Sequence, residues 1–342
     1  MRIGVLTGGG DAPGLNAAIR AITRKAGHEG WEVLGFRNGW LGVLERDYIP
    51  LDRDTVKGIL PRGGTILGTS RTNPYKRRGG PEKLLRNLER LGVDALTPIG
   101  GEDTLGVALR LSQQGVPLVG VPKTIDNDLF ETDYTIGLST AVETVSDALD
   151  RLHSTAEAHH RVMVLEVMGR HAGWIATLGG LAGGADLILT PEVPFVVEEV
   201  LLHIRRRHEE LRRMFSVIVV AEGARPKELE SSIVQEAGVD EFGHTRLGGI
   251  GEFIAHQIEK LMGYEARVTV LGHLQRGGSP SSFDRILATR LGAAAVDLVK
   301  EGTFGVMVAL KSNRITSVPL EKALRGSRSV DLDLYQLAHY FY

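Results

Sequence analysis

Short apolar runs of strand length recur along the chain, at residues 3–6, 95–99, 116–121, 162–167, 217–221 and 268–271. The turns that follow them read TGGGD, GGEDT, PKTIDND, MGRHAG, EG and GHLQRGG. Apolar runs of this length, each closed by a polar or glycine-rich turn and often followed by a helical pattern, predict an α/β fold with mostly parallel sheets. Ligands of open α/β sheets lie beyond the carboxyl ends of the strands, where this chain collects nearly all its acidic, basic and glycine-rich turns, so one composite cleft is expected. Leu15, Ala18, Ile19, Ile22 and Ala26 fall at three- and four-residue steps and predict a helix opened by Pro13 and capped by Gly27. A second helix is predicted from Thr140, where Thr140 and Glu143 form a capping-box pattern, to about residue 158. A domain change is expected near Gly137, because 342 residues suit about two domains. The arginines at 205–207 and 212–213 lie in a Glu-containing helical segment and read as a solvated face.

Composition narrows the classes. Hydrophobic residues make up 42% and charged residues 24%, ordinary for a globular chain, so global disorder and fibrous repeats are excluded. Lys plus Arg number 40 against 42 Asp plus Glu, a net charge of -2, so no overall field draws the chain to nucleic acid or anionic lipid. Any anion site must be local. The absence of cysteine excludes disulfides, thiolate zinc sites and thiol nucleophiles, and suits the cytoplasm. The apolar stretch at the N-terminus is too short for a signal-peptide core, and no run of 18 apolar residues is present. Glycine is the outlier at 43 residues, which directs attention to the turns.

Gly8, Gly9 and Gly10 follow a strand and precede a helix, so their amides and the helix N-terminus are expected to receive a phosphate; a purely structural tight turn is the alternative. A Walker loop is excluded by the missing Gly-Lys-Ser/Thr, and the dinucleotide fingerprint by glycine spacing and by Arg37, not an acid, after the second strand candidate. Glu102 and Asp103 at a strand end suit an oxygen-ligated cation such as Mg2+, or else Asp103 or Thr104 caps the next helix. Lys123, Thr124, Asp126 and Asp128 crowd charge and hydroxyl after the next strand, and a carboxylate there suits a general base acting on a sugar hydroxyl. Arg71, Arg161, Arg170, Arg267 and Arg276, with His171 and His273, fall at strand ends or in glycine-rich turns. Several guanidinium forks in one cleft imply a substrate with more than one phosphoryl group. His159 and His160 point apart on a helix and are set aside as metal ligands.

With TGGGDAPGLNAAIR, RGGTILGTSR, GGEDT, PKTIDND, HHR, VEVMGRHAGW, AEG and RVTVLGHLQRGG in one order, nearly the whole chain resembles the 6-phosphofructokinase family. The resemblance implies two similar doubly wound α/β domains with the active cleft between them, residues 1–137 plus about 275–325 binding the phosphoryl donor and 138–274 plus about 326–342 the sugar phosphate. It implies phosphoryl transfer to the 1-hydroxyl of fructose 6-phosphate, with Mg2+ linked to Glu102 and Asp126 as proton acceptor. Gly10, Arg71, Gly101, Asp103, Thr104 and Lys123 match donor positions. Thr124, Ile125, Asp128, Met168, Gly169, Arg170, Glu222, His273, Leu274, Gln275 and Arg276 match the sugar-phosphate side, with Arg71 and Arg170 counted as catalytic beside Asp126, Asp103 and Lys123. Arg161 and Arg267 match residues that reach a neighbouring subunit's site, which implies a homodimer or homotetramer.

ATP-using members typically carry glycine where this chain has Asp103, and the common bacterial ATP enzymes also carry glycine in place of Lys123. The Asp and Lys pair resembles the pyrophosphate-dependent members. An added carboxylate repels the α-phosphate of ATP, and a lysine stabilises a departing phosphate that lacks a nucleotide. The expected partners are thus fructose 6-phosphate and pyrophosphate, with an ATP-dependent enzyme as the rival and a non-catalytic sugar-phosphate sensor as a remote one. Arg20, Arg24 and Arg53 resemble effector-site positions of allosteric relatives, but His153 stands where those carry arginine, which leaves allostery open.

Overall fold

A computed structural model of the chain describes residues 1–227, 249–338 and 340, so the parts of the expected second domain at 228–248, 339 and 341–342 lie outside the described residues. The chain divides into two compact units: Met1–Thr140 with Arg276–Ser327, and Ala141–Gln275 with Arg328–Tyr342. Its strands are β1 (Arg2–Thr7), β2 (Glu32–Phe36), β3 (Tyr48–Leu51), β4 (Ala95–Gly100), β5 (Val119–Thr124), β6 (Ile136–Gly137), β7 (Val162–Val167), β8 (Leu187–Leu189), β9 (Ser216–Ala221), β10 (Ala266–Val270), β11 (Val306–Lys311) and β12 (Arg314–Pro319). Its helices are α1 (Leu15–His28), α2 (Trp40–Glu45), α3 (Gly80–Leu91), α4 (Glu102–Gln113), α5 (Leu138–His159), α6 (Trp174–Ala182), α7 (Val197–Arg205), α8 (Ile250–Met262), α9 (Ser282–Lys300), α10 (Leu320–Ala323) and α11 (Leu332–Ala338).

In the first unit the strands form one sheet in the order β12-β11-β5-β4-β1-β2-β3, with β6 paired to β5. β1, β2, β4 and β5 are parallel, whereas β3 and β12 close the two edges as antiparallel strands, the feature the apolar runs alone do not reveal. Alternation along each strand sends Ile3, Val5, Ile99, Val121 and Val308 to one face, where they pack on Ile19, Ile22, Leu291 and Val296 of α1 and α9. Leu6, Leu96 and Met307 go to the other face and pack on Leu84, Leu105 and Leu111 of α3 and α4. Both faces are therefore covered, which is why these strands read as nearly continuous apolar runs. α1 ends at His28 rather than at Gly27, and its N-cap is Gly14, so Pro13 stands just outside it.

The second unit holds a parallel sheet in the order β10-β7-β9-β8. Val162, Val164, Ile218 and Val220 pack on Ile204 of α7 and Ile254 and Ile258 of α8. The expectation of a solvated arginine face fails at Arg207. A π turn over Arg206–Glu210 swings its guanidinium inward, where it pairs with Asp186 at 2.5 Å with both side chains only 11% exposed. Among the described residues no helix is long and apolar enough to cross a membrane.

Candidate active site

β5, β4 and β1 are neighbours and parallel, so the three turns after them, far apart in sequence, emerge side by side at one sheet edge. The turn after β1 is tied internally. Gly8 N–H donates to Ile99 O (3.0 Å) and Gly9 N–H to Ser70 O (3.2 Å), which corrects the expectation that the amides of all three glycines face a phosphate. Thr69 Oγ1 donates to Gly9 O (2.6 Å) and fastens the segment that carries the exposed Arg71 to the same turn. Asn16, buried in α1, supports that segment from behind: its Oδ1 accepts from Ile66 N–H (2.8 Å) and its Nδ2 donates to Arg62 O (3.1 Å).

The turn offers two fixed cations. Lys123, 3% exposed, donates from Nζ to Gly8 O (3.1 Å) and to Gly10 O. Burial lowers its pKa to about 8, the Arg276 charge pushes the same way, and Asp11, Asp126 and Asp128 oppose them. Arg276 donates to Asp11 O (3.2 Å), and its Nη1 lies 2.6 Å from where a Cβ on Gly10 would stand, so a side chain at position 10 would displace the guanidinium. The alternative reading of Asp103 or Thr104 as a helix cap is not realised: the N-cap of α4 is Gly101, without a side-chain bond. Glu102 and Asp103 stand exposed in the first turn, where the helix dipole favours carboxylates, and Thr104 is buried against Gly8 and Gly100.

After β5 the chain alternates strictly, with Lys123, Ile125, Asn127 and Leu129 buried and Thr124, Asp126 and Asp128 partly exposed. Asn127 is the residue the sequence reading passed over. Its φ of 51° is a strained conformation held by its own side chain, which donates to Asp133 O (3.1 Å) and accepts from Thr135 N–H (2.9 Å). The Thr124 hydroxyl accepts from Asp126 N–H (3.1 Å). Ile125 departs from the expected ligand set in its side chain, which is fully buried. Burial first, then the Asp126 and Glu102 charges, pushes the Asp128 carboxyl up to about 7, and its buried Oδ1 has no hydrogen-bond partner among the described residues. That orphaned oxygen among mutually repelling carboxylates fits a divalent cation. Mg2+ takes few protein carboxylates and keeps phosphate oxygens and water as its other ligands; among the described residues no group of three or more His, Asp or Glu side chains is placed to hold a metal ion.

In the second unit the turns after β7 and β9 lock together, Glu222 N–H donating to Val167 O (2.8 Å) and Gly223 N–H to Gly169 O (3.1 Å). This gathers Met168, Gly169, Arg170 and Glu222. Gln275, fully buried, accepts from Met168 N–H (3.3 Å) and donates to Gly272 O (3.2 Å), so it braces two turns instead of meeting a ligand as expected. His273 and Leu274 beside it are exposed. Arg161 and Arg267 form a separate group on the exposed Glu265, Arg161 at 2.8 Å, because β7 and β10 pair Val162 with Ala266.

Comparison with known proteins agrees with this architecture. The Phosphofructokinase family model matches residues 2–299, and the chain belongs to that family. A Streptomyces coelicolor relative named pyrophosphate--fructose 6-phosphate 1-phosphotransferase is 56% identical over the full length of both chains. An ATP-dependent 6-phosphofructokinase 3 of the same organism is 50% identical over 96% of each chain. Among solved structures, Pichia pastoris phosphofructokinase in the T-state matches with a TM-score of 0.84 and 31% identity; the match covers 99% of this chain but only 36% of that longer one.

Proposed function

We propose that the chain transfers a phosphoryl group from pyrophosphate to the 1-hydroxyl of fructose 6-phosphate, reversibly, giving fructose 1,6-bisphosphate and phosphate. The observation that carries this reading is the buried Lys123 ammonium seated on the carbonyls of Gly8 and Gly10, with Asp103 exposed on the first turn of α4. A fixed cation at a turn free of side chains suits a bare diphosphate, which has no nucleoside to supply remote binding energy. The carboxylate opposes the extra charged phosphate of ATP. The 56% identity to a pyrophosphate-named relative supports the same donor.

In this reading Asp126 accepts the proton of the 1-hydroxyl as the new P–O bond forms and the anhydride P–O bond breaks, releasing phosphate. Lys123 and Arg71 offset charge on the transferring group and on the phosphate that leaves. Met168, Gly169, Arg170, Glu222, His273 and Arg276 hold the sugar phosphate, Arg170 and Arg276 through the planar fork that suits its oxygens. Mg2+, when bound, supplies charge neutralisation of the diphosphate, and Glu102 with Asp128 would hold it. Arg161 and the half-exposed Arg267 serve a neighbouring subunit of a homo-oligomer. The cysteine-free composition supports a cytoplasmic setting.

The test is phosphorus NMR of the protein with Mg2+, fructose 6-phosphate and pyrophosphate. Growth of the bisphosphate and phosphate resonances together, and of pyrophosphate in the reverse mixture, is expected; no exchange in either direction would reject the reading. The 50% identity to an ATP-dependent enzyme favours ATP as the second reading of the donor. Asp103 separates the two.

A further inference from the structure

Asp284, near the start of α9, is a fully buried carboxylate to which neither the family motifs nor the proposed reaction gives a role. Its Oδ1 accepts from Gly137 N–H (2.9 Å), and its Oδ2 accepts from Thr140 N–H (2.8 Å) and Thr140 Oγ1–H (2.6 Å). Ser281 N–H donates to Thr140 Oγ1 (3.0 Å), and Ser281 Oγ accepts from Asp284 N–H (3.1 Å), so the clamp is closed on both sides. α5 begins at Leu138, not at Thr140 as its capping-box pattern predicts. With glycine at position 137 in place of a capping side chain, the cap comes from Asp284 of another helix.

The residues so clamped sit behind the catalytic turn. β6 pairs Ile136 with Lys123 and Gly137 with Thr124. Gly137, at φ 107°, leaves no room for a side chain, since a Cβ there would stand 2.7 Å from Ala12 and 3.1 Å from Ile125. Thr135, just before β6, donates from Oγ1 to Thr124 O (2.6 Å) and from N–H to Asn127 Oδ1. The residues on both sides of Asp126, namely Ile125 and Asn127, are therefore supported by the segment that Asp284 fixes.

We propose that Asp284 is a positioning residue: by capping α5 from α9 it fixes the 135–140 segment, and through Thr135 and Gly137 it fixes the placement of Asp126. This rests on the phosphoryl-transfer reading above, because the role of Asp126 as base does. A positioned base works only within narrow geometric limits, and a displacement of about 1 Å lowers turnover by about a hundredfold.

The experiment compares Asp284→Asn, Thr140→Val and Thr140→Ser with the wild-type enzyme by steady-state kinetics with both substrates, and by hydrogen exchange of residues 124–137. Asp284→Asn keeps the shape but turns a donor toward Thr140 N–H. It should lower kcat by about a hundredfold while both KM values stay within about threefold, and it should speed exchange across 124–137. Thr140→Val, the milder change should Asp284→Asn fail to fold, should lower kcat by about tenfold, and Thr140→Ser, which keeps the hydroxyl, should restore it. Cooperatively folding variants with kcat within about threefold of the wild type, or with unchanged exchange across 124–137, would overturn the proposal. Should the wild-type chain fail to turn over pyrophosphate, the functional reading falls, and the exchange rates alone decide whether Asp284 holds the segment.

Discussion

Replacing Lys123 by Met removes one charge from the glycine turn while keeping most of the side-chain volume, and two measurable effects follow with opposite signs. A Cβ on Gly9 would stand 3.7 Å from Nζ, so a phosphoryl oxygen seated against that turn would lie at about 4 Å from the ammonium. A unit pair at that distance is worth about 4 kcal/mol at an effective dielectric of about 20. Loss of a comparable preorganised donor lowers kcat by about two to three decades, the effect expected of Lys123→Met in a coupled assay of fructose 1,6-bisphosphate. Stability moves the other way with pH. The folded pKa of Lys123 is lowered from 10.5 to about 8, so between those values the unfolded chain binds more protons and wild-type stability rises with pH. Below about pH 8 the buried charge costs about 3 kcal/mol, a penalty the Met variant lacks, although it leaves the Gly8 and Gly10 carbonyls without their donor. Urea unfolding across pH 7 to 11 reads the difference: the wild-type curve should climb relative to the variant from pH 8 onward. The wild type should also lose turnover as pH rises through about 8. A variant that retains kcat within about threefold, or parallel stability curves, would refute the reasoning.

Other substitutions bear on the remaining groups. Asp126→Asn should lower kcat by about two to four decades with fructose 6-phosphate binding, measured by calorimetry, nearly unchanged; equal losses in both would remove Asp126 from its role as base. Asp103→Gly should shift the ratio of pyrophosphate to ATP turnover toward ATP by about tenfold or more, and an unchanged ratio would clear Asp103 of donor selection. The Asp128 carboxyl is raised from 3.8 to about 7, so wild-type stability is greatest where Asp128 is protonated and falls as pH rises through that range. Asp128→Asn should therefore gain stability relative to the wild type between pH 4 and 7 and hold the gain above it, as measured by thermal unfolding, whereas a difference independent of pH would show that Asp128 ionises freely.

The strands that carry the site were legible because sheets covered on both faces leave long apolar runs, so β1, β4, β5, β7 and β9 stand out. The edges were not. β3 and β12 alternate with solvent-facing residues, and β6 is a two-residue pairing that no periodicity betrays. β11 was not among the apolar runs read as strands, and its place beside β5, like the tight turn at Ser312 and Asn313 with φ values of 46° and 63°, emerges only in the structure. At the site, residue types at strand ends announced Lys123, Asp126 and Asp103. What sequence could not show is which polar atoms serve ligands and which serve the chain. Gln275 and the amides of Gly8 and Gly9 look like ligand groups and are bonded within the chain, while Asn127, Asn16 and Asp284 look ordinary and tie down the turns that carry the candidate site residues. Only Ser281 and Asp284, three residues apart at a helix start, left a capping signal for the last of these.

The choice of donor is tested most directly by presenting pyrophosphate and ATP at equal saturating concentration to the wild-type protein with Mg2+ and fructose 6-phosphate, and measuring the initial rate of bisphosphate formation with each. Pyrophosphate should give a rate at least about tenfold higher, a barrier difference of about 1.4 kcal/mol. Faster turnover with ATP would contradict the account at its centre, because the Lys123 and Asp103 pair would then not select the donor.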